Sequence, residues 1–412
     1  MTCSTPVLLS DVCQIKPPKK EAKGNLTDTD LVSFVPMNNL GICTKKIELS
    51  EERELGKVYG GYTYFADDDV LLAKITPCFE NGKLGIARGL SNSVGFGSSE
   101  YIVFRAHENL DPEYLFYFLS RDSFRETGKK VMTGAVGHKR VPKEFIESLL
   151  IPLPQLPEQK RIVAILDEAF AGISQAVANA EKNLANARAL FDSYLNKVFT
   201  QKGEGWVESR LVELGVITSS KRIFKREYTA TGIPFYRTKE VKEKANGRDI
   251  TTELFISEDR YKEIKEKFGI PLKGDVLLTA IGTIGEIYVV DGQEDFYFKD
   301  GNVLWLKEFK DVNSYFLRYV LMSFVENLKR LSHGAAYNAL PIQKLKNHAI
   351  YLPPSNEQQS IVSKLDALQE STHQLEIIYQ QKLSALAELK QSILQKAFAG
   401  ELTAGVPKEL VN

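Results

Sequence analysis

The sequence predicts an α+β fold written twice: two globular α/β domains joined by two long antiparallel helices forming a coiled coil, a pseudo-twofold internal repeat. Three observations predict it. The stretch "LPEQKRIVAILDEAF" (156–170) returns as "SNEQQSIVSKLDALQ" (355–369). Each copy opens a stripe of apolar residues at three- and four-residue steps, sustained far beyond an ordinary globular helix. The stretches before each stripe are rich in aromatics, glycine and short β-prone runs.

The register of the repeat is constant. Ile151 falls on Ile350, an offset of 199 residues, and the same offset pairs Glu158 with Glu357, Gln159 with Gln358, Ile162 with Ile361, Val163 with Val362, Leu166 with Leu365 and Asp167 with Asp366. It still holds where "LFDSYLNKVF" (190–199) meets "LKQSILQKAF" (389–398), and upstream where Val141-Pro142 meets Leu340-Pro341. A period of this size marks a duplicated domain and is too long for a solenoid.

Taken in order, residues 1–150 read as the first globular domain. "DVLLAKITPCFENGKLGIA" (69–87) reads strand, glycine-containing loop, strand. "EYLFYFLSRDSF" (113–124) reads as an aromatic amphipathic helix running into the basic loop "GKKVMTGAVGHKRVP" (128–142). Residues 151–205 read as the central long helix, with Ile162, Leu166, Ile173, Leu184 and Phe191 in its seam. Pro157 suits its first helical position and Gly203 follows its end. At ~1.5 Å per residue it is about 60 Å long. Residues 206–349 read as the second globular domain: "DVLLTAIGTIGEIYVV" (275–290), then "SYFLRYVLMSFVENL" (314–328), then "LKRLSHGAAYNALP" (328–341). Residues 350–412 read as the second long helix, with Ile361, Leu365, Leu375, Leu383 and Ile393 in the seam and Thr372 and Lys390 interrupting it. Ser355 and Gln358 have capping-box spacing, and Gly400 sits where a C-terminal cap belongs.

Composition bounds the function. A chain of 412 residues holds two or three domains. Lys plus Arg and Asp plus Glu each number 53, so the net charge is zero and a whole-surface polyelectrolyte mode is disfavoured. A local basic face is still compatible with that balance. No apolar run is read as approaching the ~18–20 residues of a membrane span. The first residues lack a basic stretch ahead of an apolar core, so no signal peptide is expected. Cys3, Cys13, Cys43 and Cys78 have no CxxC spacing and read as free thiols of a cytoplasmic protein.

A search for a catalytic centre finds none. There is no GxxxxGK[ST] loop, and "GFGSSE" (95–100) lacks the third glycine and acidic follow-up of a dinucleotide fingerprint. His107, His138, His333, His348 and His373 are scattered without an HExxH, so no metal is expected. "LPPS" (352–355) reads as a helix lead-in, and the acids of "ADDDVLLAK" (66–74) as a solvated turn before a strand.

Tandem domains and long helices opening with "IPLPQLPEQKRIVAILD" (151–167) and "IYLPPSNEQQSIVSKLD" (350–366) resemble the specificity subunit of Type I restriction-modification systems. The resemblance covers essentially the whole chain. It implies two target-recognition domains, each reading one half of a split double-stranded DNA target. It implies that the two helices pack antiparallel as spacer and as docking platform for two modification subunits, which bind S-adenosylmethionine and methylate adenine. A restriction subunit would add ATP- and magnesium-dependent translocation and cleavage. The specificity subunit itself would hold no cofactor, no metal and no catalytic centre, and would have no membrane partner. Divergent globular domains on similar helices imply an asymmetric target. The competing readings are a coiled-coil scaffold or adaptor without nucleic acid, and a self-contained restriction-modification enzyme, which the missing methyltransferase and ATPase motifs disfavour.

Candidate DNA-binding residues are the basic and amide side chains of the glycine-containing loops, whose donors can meet base edges and phosphates. In the first domain these are Lys74, Asn81, Lys83, Lys129, Lys130, His138, Lys139 and Arg140. In the second they are Lys221, Arg222, Lys225, Arg226, Arg237, Lys239, Lys329, Arg330, Tyr337 and Asn338.

Overall fold

The structure, a computed structural model, describes residues 5–24, 26–201, 203–331, 339–340 and 342–402. The chain divides into two compact units, one of Met1–Glu181 with Gln381–Asn412 and one of Lys182–Gln380. The first long helix, Leu156–Thr200, and the second, Ser355–Phe398, each give a stretch to both units.

In the first unit, Pro6–Leu8 pairs antiparallel with Leu150–Pro152, and the Leu9 amide bonds the Leu149 carbonyl at 2.8 Å. This clamp brings the ends of the globular domain together just before the long helix begins. Its main sheet runs, neighbour to neighbour, Cys13–Ile15, Tyr101–Ala106, Val70–Ala73, Leu84–Ile86, all antiparallel. Val70–Ala73 is buried throughout, which explains its unbroken apolar run. A second sheet runs Glu52–Glu54, Leu31–Val35, Val94–Gly97, Thr63–Ala66, its middle pair parallel. The glycines of "GFG" belong to this sheet: a Cβ on Gly97 would lie 2.4 Å from the Val35 carbonyl oxygen. They allow close packing rather than cradling phosphate.

The second unit repeats the scheme. Val207–Arg210 pairs with Ala349–Leu352, and the main sheet runs Val216–Ser219, Val303–Lys307, Val276–Thr279, Ile287–Val289. Its second sheet keeps a parallel pair, Ile233–Tyr236 with Tyr297–Phe298. The fourth strand, Tyr228–Thr229, lies at the opposite edge, beside Phe255–Ile256, and helices Thr238–Ala245 and Glu258–Lys267 are added. The two domains therefore share the sheet that packs on the long helices and differ in the layer beyond it.

Each unit has its own core. In the first, Ile162, Val163 and Leu166 of the first long helix and Leu394, Ala397 and Phe398 of the second pack with Val70, Phe104, Leu115 and Phe118. In the second, Phe191 and Leu195 join Val362 and Leu365 against Val276, Phe316 and Tyr319.

The seam departs from the expected stripe at defined points. Ile162, Leu166, Phe191 and Leu365 are buried, and Ile361 and Ile393 pack against the cores. Ile173, Leu184 and Leu383 are only half-buried. Leu375 is 37% exposed, whereas Thr372, read as an interruption, is buried. Thr372 is admissible there because its hydroxyl donates to the Leu368 carbonyl, 2.9 Å away in its own helix. Lys390 places its ammonium 5.1 Å from the Phe170 ring centroid, a cation–π contact rather than a break.

Helix ends also differ in part. The first helix starts at Leu156, so Pro157 lies inside its first turn, where a missing N–H is tolerated. Gly203 does not cap it; a Cβ there would strike the Trp206 ring at 2.3 Å. The second helix starts at Ser355 itself, and Gln358 is engaged elsewhere, so no capping box forms. Gly400 does cap: its φ is +77°, its amide bonds Ala397 and the Glu401 amide bonds Lys396, the Schellman pattern.

The first long helix contains an 18-residue window of mean hydropathy 1.2, enough by length and composition for a membrane span and more than the apolar runs of the sequence led us to expect. Its Ile162, Val163 and Leu166 are buried in the first core.

Burial against Phe324, with ring centroids 4.7 Å apart, holds His348 below the ordinary histidine range. A histidine depressed in the folded state resists protonation that the unfolded chain accepts. Stability of the second unit should therefore be full above pH ~6.5 and fall as the pH drops through the folded value. Thermal melts from pH 7 to pH 5 should show this slope reduced in His348→Leu; an identical slope in that variant would assign it to other groups.

Candidate nucleic-acid interface

The residues that position the loops are the duplicated ones. Gln159 is fully buried. Its Oε1 accepts from the Asp111 amide at 2.8 Å, and its Nε2 donates to the carbonyls of Asn109 (2.9 Å) and Pro154 (2.8 Å). Gln358 repeats this: Oε1 accepts from the Asn313 amide at 2.7 Å, and Nε2 donates to Asp311 (2.8 Å) and Pro353 (3.0 Å). Asp111 and Asn313 are themselves the N-caps of the following aromatic helices. About two turns further along each long helix, the Tyr117 hydroxyl donates to Asp167 and the Tyr319 hydroxyl to Asp366. The recurring Glu-Gln…Leu-Asp pattern is thus a clip between each globular domain and its long helix. Sequence reading marked Gln159 and Gln358 as a repeated pair, and Gln358 as a capping residue, without their role in joining domain to helix, and it did not single out Tyr117 and Tyr319. The fixed repeat spacing of the glutamines was the available signal.

In the first unit the basic loops converge. The Thr133 and Arg140 backbones bond each other in both directions (3.0 and 2.8 Å), closing a short hairpin. The Val141 amide bonds the Lys74 carbonyl and the Thr76 amide the Lys139 carbonyl, both at 2.9 Å, so the hairpin is fastened to the loop after Val70–Ala73. Arg140 grips both oxygens of Glu100, donating from Nε to Oε2 at 3.0 Å and to Oε1 at 3.3 Å, and from Nη2 to Oε1 at 2.7 Å. The Arg140 guanidinium, helped by Lys74, holds that carboxyl below the usual range. Lys74 donates to the Ser99 carbonyl at 3.0 Å, and partial burial lowers its pKa. Lys16, not selected from the sequence, adds positive potential at Lys74; "KPPKK" was the signal for it.

The candidates divide by what already holds them. Lys129, Lys130, His138 and Lys139 are exposed, and none forms an ion pair among the described residues; Asn81 is exposed as well. Lys83 donates to the Met37 carbonyl at 2.7 Å and is held inward. In the second unit Lys225 and Lys239 are exposed, Lys221 lies 4.9 Å from the Phe268 ring centroid, and the Arg226 guanidinium 5.4 Å from that of Phe224. Arg222 pairs with Asp300 at 2.8 Å. Arg237 is structural: it pairs with buried Glu240 (2.6 Å) and with Glu253 (3.1 Å) at the start of Thr238–Ala245. Lys329 and Arg330 have only their backbone described, in the helix Ser314–Leu331, and their side chains, with Tyr337 and Asn338, lie outside the described residues.

The acids of "ADDDV" make the expected turn at Asp67 and Asp68, with Asp68 exposed, but Asp69 is not solvated. Asp69 is buried, accepts from the Ala66 amide at 2.7 Å and takes two bonds from Arg105 (2.8 and 2.7 Å), while burial raises its pKa. Asp68 pairs with Arg88 at 2.8 Å, and Asp67 accepts from the Leu90 amide at 3.0 Å.

Comparison with known proteins matches this doubled arrangement. A sequence model described as the Type I restriction modification DNA specificity domain fits residues 4–182 and again 203–384. The specificity subunits of the Escherichia coli Type I restriction enzymes EcoEI and EcoAI are 40% identical over 159 residues and 41% identical over 140. Those alignments cover 38% and 33% of this chain, and only 26% and 23% of the two relatives. A putative Type I specificity subunit of Haemophilus influenzae is 27% identical over 324 residues, spanning 76% of this chain and 78% of that protein. Two solved structures share the fold at 22% identity. One, from work on complex assembly and conformational transition of the type I R-M system, has a TM-score of 0.78 over 98% of this chain and 99% of its own. The other, the HsdS subunit of Thermoanaerobacter tengcongensis, has a TM-score of 0.65 over 98% of both.

Proposed function

The chain belongs to the Type I restriction-modification DNA specificity family, and we propose that it serves as the DNA-recognition subunit of such a complex, acting in the cytoplasm. The observation that carries this reading is the doubling: one sheet topology, one glutamine clip and one long helix, each present twice, beneath outer layers that differ. Two like frames bearing unlike reading surfaces fit a bipartite, asymmetric double-stranded target. The long helices would dock two modification subunits and, through them, restriction subunits. S-adenosylmethionine, ATP and magnesium would be held by those partners, and the chain would contribute recognition rather than a catalytic centre. The domain limits would be 1–150 and 206–349 for recognition, and 151–205 and 350–412 for the helical regions.

The direct test is methylation-aware sequencing of a host expressing the chain with its modification subunit. A split, non-palindromic methylated motif is expected. A motif unchanged when the chain is omitted would overturn the reading.

The exposed lysines give a second test. Changing Lys129, Lys130 and Lys139 to Ala should weaken DNA binding without hindering partner assembly. The slope of log affinity against log salt should flatten by up to about 0.9 for each phosphate that is no longer neutralised. The sequence placed all three in one loop, but Lys129 and Lys130 lie in the last turn of the helix Asp122–Val131, and unchanged affinity and slope in the triple variant would remove this helix end and the turn after it from the interface.

A further inference from the structure

The hairpin Thr133–Arg140 carries an apolar residue at its tip, and we propose that this residue, Val136, reads the 5-methyl group of a thymine in the major groove. The inference rests on the proposed DNA-recognition role and deepens it.

Val136 is 93% exposed, the most exposed of the large apolar side chains among the described residues. A single exposed apolar residue is ordinary; the way this one is held is not. Gly134 and Gly137 flank it at φ +124° and +81°, and a Cβ on Gly134 would meet the His138 carbonyl oxygen at 2.9 Å. The turn therefore depends on both glycines and fixes which side chains stand at its apex. The His138 amide bonds the Ala135 carbonyl at 2.9 Å, and Arg140 Nη1 donates to the His138 carbonyl at 2.9 Å while its other nitrogens grip Glu100. Arg140 is in this sense a brace. The two bonds to Lys74 and Thr76 fasten the base. The result is a turn closed by one antiparallel bridge, Thr133 with Arg140, with an apolar tip and exposed cations, Lys129, Lys130 and Lys139, near its base.

That combination fits one part of DNA. The major groove, ~12 Å wide, can admit two backbone segments held side by side as this bridge holds them, and the minor groove, at ~6 Å, cannot. The lysines can meet the phosphates lining the groove. The apolar group displayed on a major-groove floor is the thymine methyl. Valine is also short and branched, a shape for touching a methyl group rather than for wedging bases apart, as the longer Phe, Leu or Met do.

The experiment uses the full chain assembled with its modification subunits and a duplex of the methylated motif. Each thymine of the motif is replaced in turn by deoxyuridine, which lacks only the methyl. The parent complex should bind about fourfold more weakly at one position in one half-site, the worth of a methyl removed from water. Val136→Ser should lose that sensitivity while keeping its fold, since the side chain packs on nothing. The salt slope should be the same for both proteins, because the phosphates met by the lysines are the same. If the parent is indifferent to every deoxyuridine, or Val136→Ser keeps the same sensitive position, the assignment is wrong although DNA recognition stands. If the parent complex does not distinguish its motif from unrelated duplex at all, the recognition role itself fails.

Discussion

Leu166→Asp is expected to unfold the first compact unit. Leu166 is fully buried where the first long helix meets the sheet and the second long helix, among Val70, Phe104, Phe118 and Leu394. Removing the leucine packing alone costs about 2–5 kcal/mol. A carboxylate left there without a partner adds a desolvation penalty of several kcal/mol. Together these approach the ~5–15 kcal/mol that stabilises a whole domain. Thermal melting followed by circular dichroism should show loss of the cooperative transition, or a drop in Tm of more than about 10 °C. Leu365→Asp, at the same place in the repeat, should do the same to the second unit. Leu375→Asp is the control: although it continues the same apolar stripe, its 37% exposure lets a carboxylate stay hydrated, and Tm should move little. A Leu166→Asp protein that melts like the parent would show that the helix is not part of the core described.

The contrast between Leu166 and Leu375 marks how far the sequence could be read. Periodicity revealed the two helices, their length and the face that carries most of the apolar residues, because helical geometry alone sets a 3.6-residue period. It could not reveal what covers that face at each turn. Leu166 meets a sheet, Leu375 stays 37% exposed, and Thr372 can be buried because its hydroxyl is satisfied inside its own helix. Charges were legible as loops and not as roles. Lys139 and Arg140 are neighbours in a basic loop, yet Arg140 braces a hairpin through Glu100 while Lys139 projects outward. Arg237 carries the same charge and is committed to Glu240. For Arg140 the deciding acid lies forty residues away in the chain, where no local pattern announces it, whereas the Arg237–Glu240 pair stands at i,i+3 spacing and was open to a local reading. The repeat carried the family resemblance directly, since the matching residues are those that join domain to helix.

That joint can be tested most sharply at its centre, where Gln159→Leu is expected to loosen the first domain from its helix. The substitution nearly preserves volume, so its effect isolates hydrogen bonding. It leaves the Asp111 amide and the Asn109 and Pro154 carbonyls without the partner they now share. An unsatisfied buried group costs about 1–3 kcal/mol. Some of the three will recruit water as the loop relaxes, so a loss of about 2–4 kcal/mol is expected rather than the full sum. Gln159→Glu should be no milder, because a carboxylate keeps the acceptor but gives up both donations. Amide hydrogen exchange supplies the local reading: the Asp111 amide should exchange far faster in Gln159→Leu, while the Asn313 amide, held by Gln358 in the other unit, should keep its protection. Gln358→Leu should reverse that pattern. The functional consequence should be equally one-sided, with weaker discrimination in the half-site read by the loosened domain and normal reading in the other. If Gln159→Leu keeps the parent's stability and a protected Asp111 amide, the glutamine is a passenger of the repeat and something else fastens the domain to its helix.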